Sequence, residues 1–340
     1  MRMMRRDRGS VDGAQQFVSF IGVLLVASLV LPAFAQTAFD TGGKVHRVGV
    51  LWEGGTAPSL QLSVVTEMAR QGYVEGKNVS FEFRWSGGDR ELLRRNAADL
   101  VRSKVDVLLV TSTRAAVVLR EATSTIPIVM SSADPVGAGL VASLGRPGGN
   151  VTGTLIPLIE LAAKRMQMLR ELVPGLARVT VLWNPNAITT KEQTEATVAA
   201  ATELGVVVDR IEIRNQTDLD QALSSMSVTR PQALIAMQDP LLLSMAVPLA
   251  QFAVRHQIPA SHPYRVFVDA GGLFSYGVRA EANLERAVGY VAQILRGARP
   301  QDLPVTQSER FDLFINANAV RALGITVPKA LLMRASEVIQ

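Results

Sequence analysis

Short polar side chains and a few carboxylates follow the predicted buried strands of this 340-residue chain, at the points where strands meet helices. In open parallel sheets, ligands bind just beyond the carboxyl ends of the strands. Helix starts there present free N–H groups that suit a carboxylate, and Asp134 or Asp239 could face an ammonium group. The pattern predicts a ligand site made of these residues: Glu53, Thr56, Ser112, Thr113, Ser131, Ser132, Asp134, Asn184, Asp239, Tyr264 and Tyr276.

The same residue types are common helix caps and turn formers, so no single member of this set demonstrates binding. Binding is favoured by the set as a whole, because its members are expected to converge on one cleft from two sides. Tyr264 and Tyr276 add aromatic rings beside turns, and their hydroxyl groups need a hydrogen-bond partner.

Motifs for catalysis are missing from the sequence. It contains no G-x-x-x-x-G-K-[ST], G-x-G-x-x-G, G-x-S-x-G or H-E-x-x-H pattern. The absence of cysteine excludes thiol catalysis, disulfides and cysteine-ligated zinc. The scattered His46, His256 and His262 favour structural roles, so no metal, no cofactor and no enzymatic activity is expected. The alternative is a two-lobed, transferase-like enzyme, which would need Asp134 or Asp239 to act with His262.

Strand and helix patterns alternate along the whole chain and must position these side chains. Short runs rich in Val and Ile predict buried strands at 45–52, 79–85, 105–112, 126–133, 177–184, 206–214, 232–238 and 258–263. Helical spacing appears at 58–71, 89–104, 114–122, 159–173, 188–204, 216–228 and 241–256. Apolar strands that alternate with amphipathic helices imply an α/β fold with parallel sheets covered on both faces.

The two halves of the chain begin alike, since HRVGVLW at 46–52 is echoed by ARVTVLW at 177–183. A repeat of this length indicates two similar domains, and a cleft between two lobes is a common place for small ligands. We expect one lobe from 44–152 plus 275–303 and the other from 153–274 plus 304–340. The chain is expected to cross between them near 150–158, 274–279 and 304–311.

The first 35 residues have the features of a secretion signal. Four arginines precede an apolar run at 18–31, and Ala33-Phe34-Ala35 predicts cleavage before Gln36. A membrane anchor is the alternative, because 17–35 approaches a spanning length of roughly 20 residues. Removing four arginines and two aspartates with this segment lowers the net charge from +5 to +3. Without a basic stripe, nucleic acid is not an expected partner. A periplasmic protein that is not a lipoprotein and not inserted in the membrane is expected.

Several segments resemble one family. They are GYVEGKNV at 72–79, DPV at 134–136, LGRPGGNVTG at 144–153, AAKR at 162–165, NPN at 184–186 and AGGLFSYG at 270–277. Together they are similar to the ABC-transporter substrate-binding family that includes the tryptophan-binding proteins of bacterial uptake systems. The resemblance covers essentially the whole chain after the signal. It implies a type I periplasmic binding protein fold with two Rossmann-like lobes, a three-segment hinge and a ligand enclosed when the lobes close.

The resemblance also implies roles for particular residues. Hydroxyls and amides at Ser112–Thr113 and Ser131–Ser132 would hold a ligand carboxylate, and Asp239 with Tyr264 would meet its amine. Family members often have small residues where this chain has Trp52, Glu53 and Arg114. The expected function is a monomeric receptor that delivers a small organic ligand, an amino acid or aromatic acid, to a membrane permease and its ATPase. A ligand sensor for a signalling receptor is the other outlet of the same fold.

Overall fold

Two largely parallel β-sheets, each covered by helices, make up residues 43–340, the part of the chain that the computed structural model describes. The predicted secretion signal and its cleavage site at Gln36 lie outside the described residues. None of the helices within 43–340 has the length and apolar content needed to span a membrane.

The strands and helices predicted up to residue 263 occur in the predicted order, except that the helix predicted at 241–256 is divided into two, Pro240–Ser244 and Ala246–Arg255. The first stretch contains β1 (His46–Trp52), α1 (Pro58–Arg70), β2 (Val79–Trp85), α2 (Arg90–Arg102), β3 (Val107–Val110), α3 (Thr113–Ala122), β4 (Ile128–Ser132) and β5 (Val151–Leu155). The second contains α4 (Leu158–Leu172), β6 (Arg178–Trp183), α5 (Thr190–Glu203), β7 (Val207–Glu212), α6 (Gln216–Thr229), β8 (Leu234–Ala236), α7 (Pro240–Ser244), α8 (Ala246–Arg255), β9 (Ala260–His262), α9 (Arg265–Asp269) and β10 (Phe274–Val278). The last contains α10 (Ala280–Leu295), β11 (Thr306–Gln307), β12 (Phe311–Asn316), α11 (Ala317–Ala322), α12 (Lys329–Arg334) and β13 (Glu337–Ile339).

The first sheet has the strand order β11-β5-β4-β3-β1-β2, and the second has β13-β12-β10-β9-β8-β6-β7. All paired strands are parallel except β10 and β12. This confirms the predicted α/β class. We call each sheet, with the helices on its faces, a lobe.

The chain passes between the lobes three times, after β5, after β10 and after β11. These positions fall in the predicted crossing regions. The strand pairing places β10 in the second sheet, whereas the range 275–303 assigns it to the first lobe. It places β11 in the first sheet, whereas the range 304–340 assigns it to the second lobe. Each of these two crossings therefore comes one short element later than the predicted ranges have it. A strand belongs to the sheet that contains its hydrogen-bonded partner strand. The glycines that flank a strand in the sequence do not indicate which strand that partner is. The division of the chain into two domains, 44–152 plus 275–303 and 153–274 plus 304–340, stays a prediction.

Apolar side chains alternate between the two faces of the first sheet. On β3, Leu108 and Val110 belong to the cluster under α2 and α3, whereas Val107 and Leu109 belong to the cluster under α1 and α10. All four side chains are buried, as expected for a strand covered on both faces. Because α10 follows the second crossing, the return of the chain completes the cover that α1 provides on this face.

Gly153, on β5 just before the first crossing, has a backbone conformation and close neighbours that do not accommodate a side chain. Its φ angle is +139°, and a Cβ atom there would overlap the backbone of Met130 on the neighbouring strand. We expect Gly153→Ala to lower the free energy of unfolding by roughly 2–4 kcal/mol, measured by urea denaturation. Gly289→Ala in α10 is the control, since nothing lies within 4 Å of its Cβ position. Equal unfolding midpoints for the two variants would contradict this prediction.

Candidate functional site

A cavity lined by both polar and apolar side chains lies between the two lobes, at the carboxyl ends of strands from both sheets. The volume of this cavity is about 90 Å³. Its wall is made of Glu53, Thr111, Ser112, Thr113, Arg114, Ser131, Ala133, Ile156, Leu158, Ala187, Ile188, Thr189, Gln238, Asp239, Pro240 and Tyr264.

Six residues of the predicted site line this cavity: Glu53, Ser112, Thr113, Ser131, Asp239 and Tyr264. Two more lie directly behind the wall. The Ser132 hydroxyl is 2.9 Å from the Thr113 hydroxyl, and the Asn184 amide group is 3.3 Å from a carboxylate oxygen of Asp239. These eight residues come from strand ends of both lobes, as the topology requires.

Three predicted residues are not part of the cavity wall. Thr56 is exposed in the loop after β1. Asp134 is also exposed, and its carboxylate accepts a hydrogen bond from the Gly137 amide at 2.8 Å, which is the behaviour of a turn-forming residue. Tyr276 packs against Phe311, with ring centroids 6.1 Å apart. Contact between the predicted residues and a ligand stays a prediction.

Tyr276 belongs to a buried polar region of the second lobe. Its carbonyl oxygen accepts a hydrogen bond from Arg165 Nη1 at 3.1 Å. The Arg165 side chain is completely buried, and the loss of solvent lowers the pKa of its guanidinium to about 10. Among the described residues, its Nε and Nη2 atoms have no hydrogen-bond partner. Arg165 does not belong to the cavity wall.

The start of α3 forms the first-lobe wall. Ser112 caps this helix, because its hydroxyl oxygen accepts from the Ala115 amide at 3.1 Å. The Thr113 hydroxyl accepts from the Ala133 amide at 3.2 Å and so ties α3 to the end of β4. First-turn N–H groups of a helix have no acceptor within the helix. Since Thr113 and Arg114 line the cavity, this wall presents donors to an anionic group.

A buried ion pair occupies one corner of the cavity. Arg114 Nη1 donates to Glu53 Oε1 at 2.9 Å, and the Ser112 hydroxyl donates to Glu53 Oε2 at 2.7 Å. The side chains of Arg114 and Glu53 are only 19% and 10% exposed, so solvent screens their attraction little. Both oxygens of Glu53 are thereby engaged. Arg114 was not part of the predicted set, although its position directly after Thr113 places it at the same helix start.

Asp239 supplies the acid of the second-lobe wall. One oxygen caps α7 by accepting from the amides of Leu241 at 2.9 Å and Leu242 at 3.2 Å. The loss of solvent around this buried carboxyl raises its pKa, and the negative charge of Glu53 acts in the same direction. A cation placed in the cavity would favour the ionised form.

Gln193 positions the strand end that carries Asp239. This fully buried side chain donates to the Gln238 carbonyl at 3.0 Å and accepts from the Gln238 amide at 2.9 Å. A side-chain amide pairing with a backbone amide in this way holds the segment before Asp239 in place. Gln193 was not predicted, because a glutamine inside a helix has no distinctive sequence signal.

Tyr264 stays neutral at the cavity wall. Burial raises the pKa of its hydroxyl to about 12, with the nearby carboxylate of Asp239 adding to the shift. The ring packs beside His262, with centroids 5.5 Å apart. A neutral phenol keeps its hydrogen, so Tyr264 can donate to a ligand or to a neighbouring acceptor.

His262 is built into the second lobe rather than into the cavity. Its Nδ1 accepts from the Tyr264 amide at 3.2 Å, which places the ring hydrogen on Nε2, 3.3 Å from the Leu242 carbonyl. The ring also stacks on Phe267, with centroids 5.4 Å apart. Burial lowers its pKa to about 3. With both nitrogens engaged and no place in the cavity wall, His262 has the structural role that its isolation in the sequence indicates.

Hydrogen bonds connect the cavity wall to the lobe crossings. Asn283 in α10 donates to the Ser131 hydroxyl at 2.8 Å and accepts from the Ser308 hydroxyl at 2.7 Å. Ser308 follows β11 in the third crossing, and its amide donates to the Leu155 carbonyl at the end of β5. The shape of the cavity near Ser131 therefore depends on the geometry of the hinge.

The low pKa of His262 makes stability depend on pH. The unfolded chain binds a proton near pH 6.5, whereas the folded protein does so only near pH 3. The free energy of unfolding must therefore fall as the pH drops from 6.5 toward 3. Between about pH 6.5 and about pH 4.5, we expect wild type to lose about 2–3 kcal/mol more than His262→Gln. Urea denaturation at several pH values measures this, with His256→Gln as the control. Parallel pH profiles for wild type and His262→Gln would contradict it.

Two α/β lobes joined by three crossings, with a cavity of polar and apolar side chains between their strand ends, are the architecture of a two-lobed binding protein. A family model described as ABC transporter substrate binding protein matches residues 59–339. The chain belongs to this family, which confirms the resemblance seen in the sequence. It is therefore the substrate-binding receptor of an ABC transporter, with a small-molecule ligand and the transporter as its partners. Members of the family are extracytoplasmic.

Known proteins similar to this chain include the following three. A tyrosine-binding protein of Clostridioides difficile is 29% identical over 285 residues, which cover 83% of this chain and 82% of the relative. An ABC domain from Streptococcus pneumoniae, solved in complex with L-Trp, is 26% identical with a TM-score of 0.79 and covers 87% of this chain and 100% of its own. The ligand-free, open structure of a substrate-binding protein with adhesive properties from Clostridium difficile is 26% identical with a TM-score of 0.64, covering 87% and 99%. The shared architecture is the type I periplasmic binding protein fold.

Proposed function

We propose that the cavity binds an α-amino acid with an apolar or aromatic side chain, and that the protein delivers it to an ABC transporter permease and its ATPase. The observation that carries this proposal is that the two lobes face the cavity with walls of different chemistry. The start of α3 offers hydroxyls and helix N–H groups on the first lobe, and Asp239 offers a carboxylate on the second. An amino-acid zwitterion has one charged group for each wall.

The carboxylate end fits the first-lobe wall. Ser112, Thr113 and Ser131 line the cavity around the start of α3. A helix start carries partial positive charge and unpaired N–H groups, which together bind anions. The nearby Glu53 carboxylate does not oppose this, because its charge is offset by Arg114 at 2.9 Å.

The ammonium end fits the second-lobe wall. Asp239 is buried, and the ion pairs between described residues include no cation for it. A buried carboxylate without a counter-charge is costly, and an arriving ammonium group removes that cost. Tyr264 lines the same wall and supplies an aromatic surface with a neutral hydroxyl.

The remaining wall is apolar and suits the ligand side chain. It contains Ile156, Leu158, Ala187, Ile188 and Pro240, contributed by the first crossing and by the second lobe. Relatives named for tyrosine binding or solved with L-Trp support an aromatic side chain. We infer that the ligand is an aromatic or large aliphatic amino acid.

The proposal includes the cellular setting. We infer export by the N-terminal segment, removal of residues 1–35 and action as a periplasmic monomer without catalytic activity. The sequence features of that segment and membership of a substrate-binding family support this.

A binding screen with a charge-deleted variant tests the ligand class. At about 100 times its dissociation constant, a ligand that binds only the folded state adds about 2.7 kcal/mol of stability, visible as a thermal shift. We expect aromatic amino acids to give such shifts. Asp239→Asn should raise their Kd by roughly 30- to 150-fold, as calorimetry would measure, because an ammonium would lose about 2–3 kcal/mol of charged hydrogen bonding.

The chain offers a matched control for this experiment. Asp134→Asn removes the other aspartate predicted to face an ammonium group, which is not among the cavity wall residues, and should leave Kd within about twofold. Aromatic propionates, which lack the ammonium group, should bind wild type and Asp239→Asn with similar affinity. Equal losses for the two variants, or a propionate weakened as much as its amino acid, would overturn the assignment of Asp239 to the ammonium.

A further inference from the structure

Two arginines of the first lobe donate hydrogen bonds to one carbonyl oxygen of the second lobe. Arg90 Nη2 lies 3.1 Å from the Asn186 oxygen, and Arg114 Nη2 donates to the same atom. A carbonyl oxygen has two lone pairs and can accept both bonds. Because both donors carry a positive charge, these bonds are stronger than neutral ones.

Both arginines lie at helix starts of the first lobe. Arg90 is the first residue of α2, directly after Asp89, whose carboxylate caps that helix by accepting from the Glu91 and Leu92 amides. Arg114 lies in the first turn of α3, where its ion pair with Glu53 fixes the guanidinium. The helix starts that carry the two donor side chains are therefore fixed within the first lobe, before the lobes meet.

The acceptor is equally well held on the second lobe. The Asn186 amide donates to Asn184 Oδ1 at 3.0 Å, and the Thr190 hydroxyl donates to the Asn184 carbonyl. These bonds brace the segment between β6 and α5 from both ends. The Asn184 side-chain amide also reaches Asp239, which ties the segment to the acid of the cavity.

The braced segment continues directly into the cavity wall. Ala187, Ile188 and Thr189 follow Asn186 and line the cavity. Any force that holds the Asn186 carbonyl against α2 and α3 therefore also holds this wall over the ligand. The contact joins different lobes, so it can exist only while they are close together. Consistent with a closed arrangement, the structure resembles the tryptophan-bound relative more than the open one, at the same sequence identity.

We propose that Arg90 and Arg114 are positioning residues that latch the closed lobes through the Asn186 carbonyl. They hold the wall Ala187–Thr189 in place and slow ligand release. Arg114 joins this latch to the cavity through Glu53, whereas Arg90 acts entirely from outside the cavity wall. The proposed latch depends on the proposed function only in the measurement of ligand release, which needs a bound ligand. Its effect on the lobes themselves needs no ligand.

Arg90 permits a clean test, because it is exposed and does not line the cavity. Arg94 is the matched control. It lies one turn further along α2, is also exposed, and pairs with Glu91 of its own helix at 2.6 Å. Since the chain has no cysteine, Gln61→Cys in α1 and Ser224→Cys in α6 can carry spin labels on the two lobes.

The first measurement is the distance distribution between these labels in the unliganded full chain. We expect a closed population in the parent, a smaller one in Arg90→Ala, partial recovery in Arg90→Lys and no change in Arg94→Ala. No closed population in the parent, or the same population in Arg90→Ala and Arg94→Ala, overturns the latch. This result does not depend on which ligand the protein binds, so it separates failure of the latch from failure of the amino-acid proposal.

The second measurement follows release of whichever aromatic amino acid binds in the screen. Arg90→Ala should raise the dissociation rate roughly 3- to 10-fold and leave the association rate within about twofold, because the contact forms after the ligand has entered. Arg94→Ala should match wild type in both rates. A change in the association rate alone, or equal dissociation rates for the two variants, contradicts a latch.

Discussion

Parallel strand alignment is the constraint on which the rest of this molecule depends. In the first sheet, Leu51 of β1 is level with Val110 of β3, and Val110 is level with Met130 of β4. Side chains one or two residues beyond these positions must therefore come together at one edge. This is why Glu53, Ser112 and Ser131, which are far apart in the chain, line one cavity. The second sheet brings Asp239 and Tyr264 to the opposite wall in the same way.

Buried polar groups at this edge are nearly all engaged with one another. Glu53 is shared between Ser112 and Arg114, Thr113 is bonded to Ser132, and Asp239 is bonded to the first turn of α7. Buried polar groups without partners are costly, so such pairing holds the site in shape before a ligand arrives. Among the described wall residues, the groups available to a ligand include the start of α3 on one lobe, and the Gln238 Oε1 atom and the Asp239 carboxylate on the other. These available groups are the basis of the proposed amino-acid ligand.

The order of elements and the two-lobed plan could be predicted from the sequence, because both depend on local patterns. Apolar runs identified the strands, and the echo of 46–52 in 177–183 indicated a second sheet. The candidate site was only partly predictable. Asp134 and Asp239 both follow a buried strand and look alike in sequence. In the structure Asp134 turns outward onto the Gly137 amide, whereas Asp239 caps a helix at the cavity.

The sequence by itself determined the residue types at the strand ends, the alternation of strands and helices, and membership of the substrate-binding family. Tertiary structure alone decided which lobe each side chain faces and which distant residues meet. The contact of Arg90 and Arg114 with the Asn186 carbonyl is of this kind. Its acceptor is a backbone atom that every residue possesses, so no side-chain pattern marks it. Only the approach of two lobes, set by three crossings of the chain, brings donor and acceptor together.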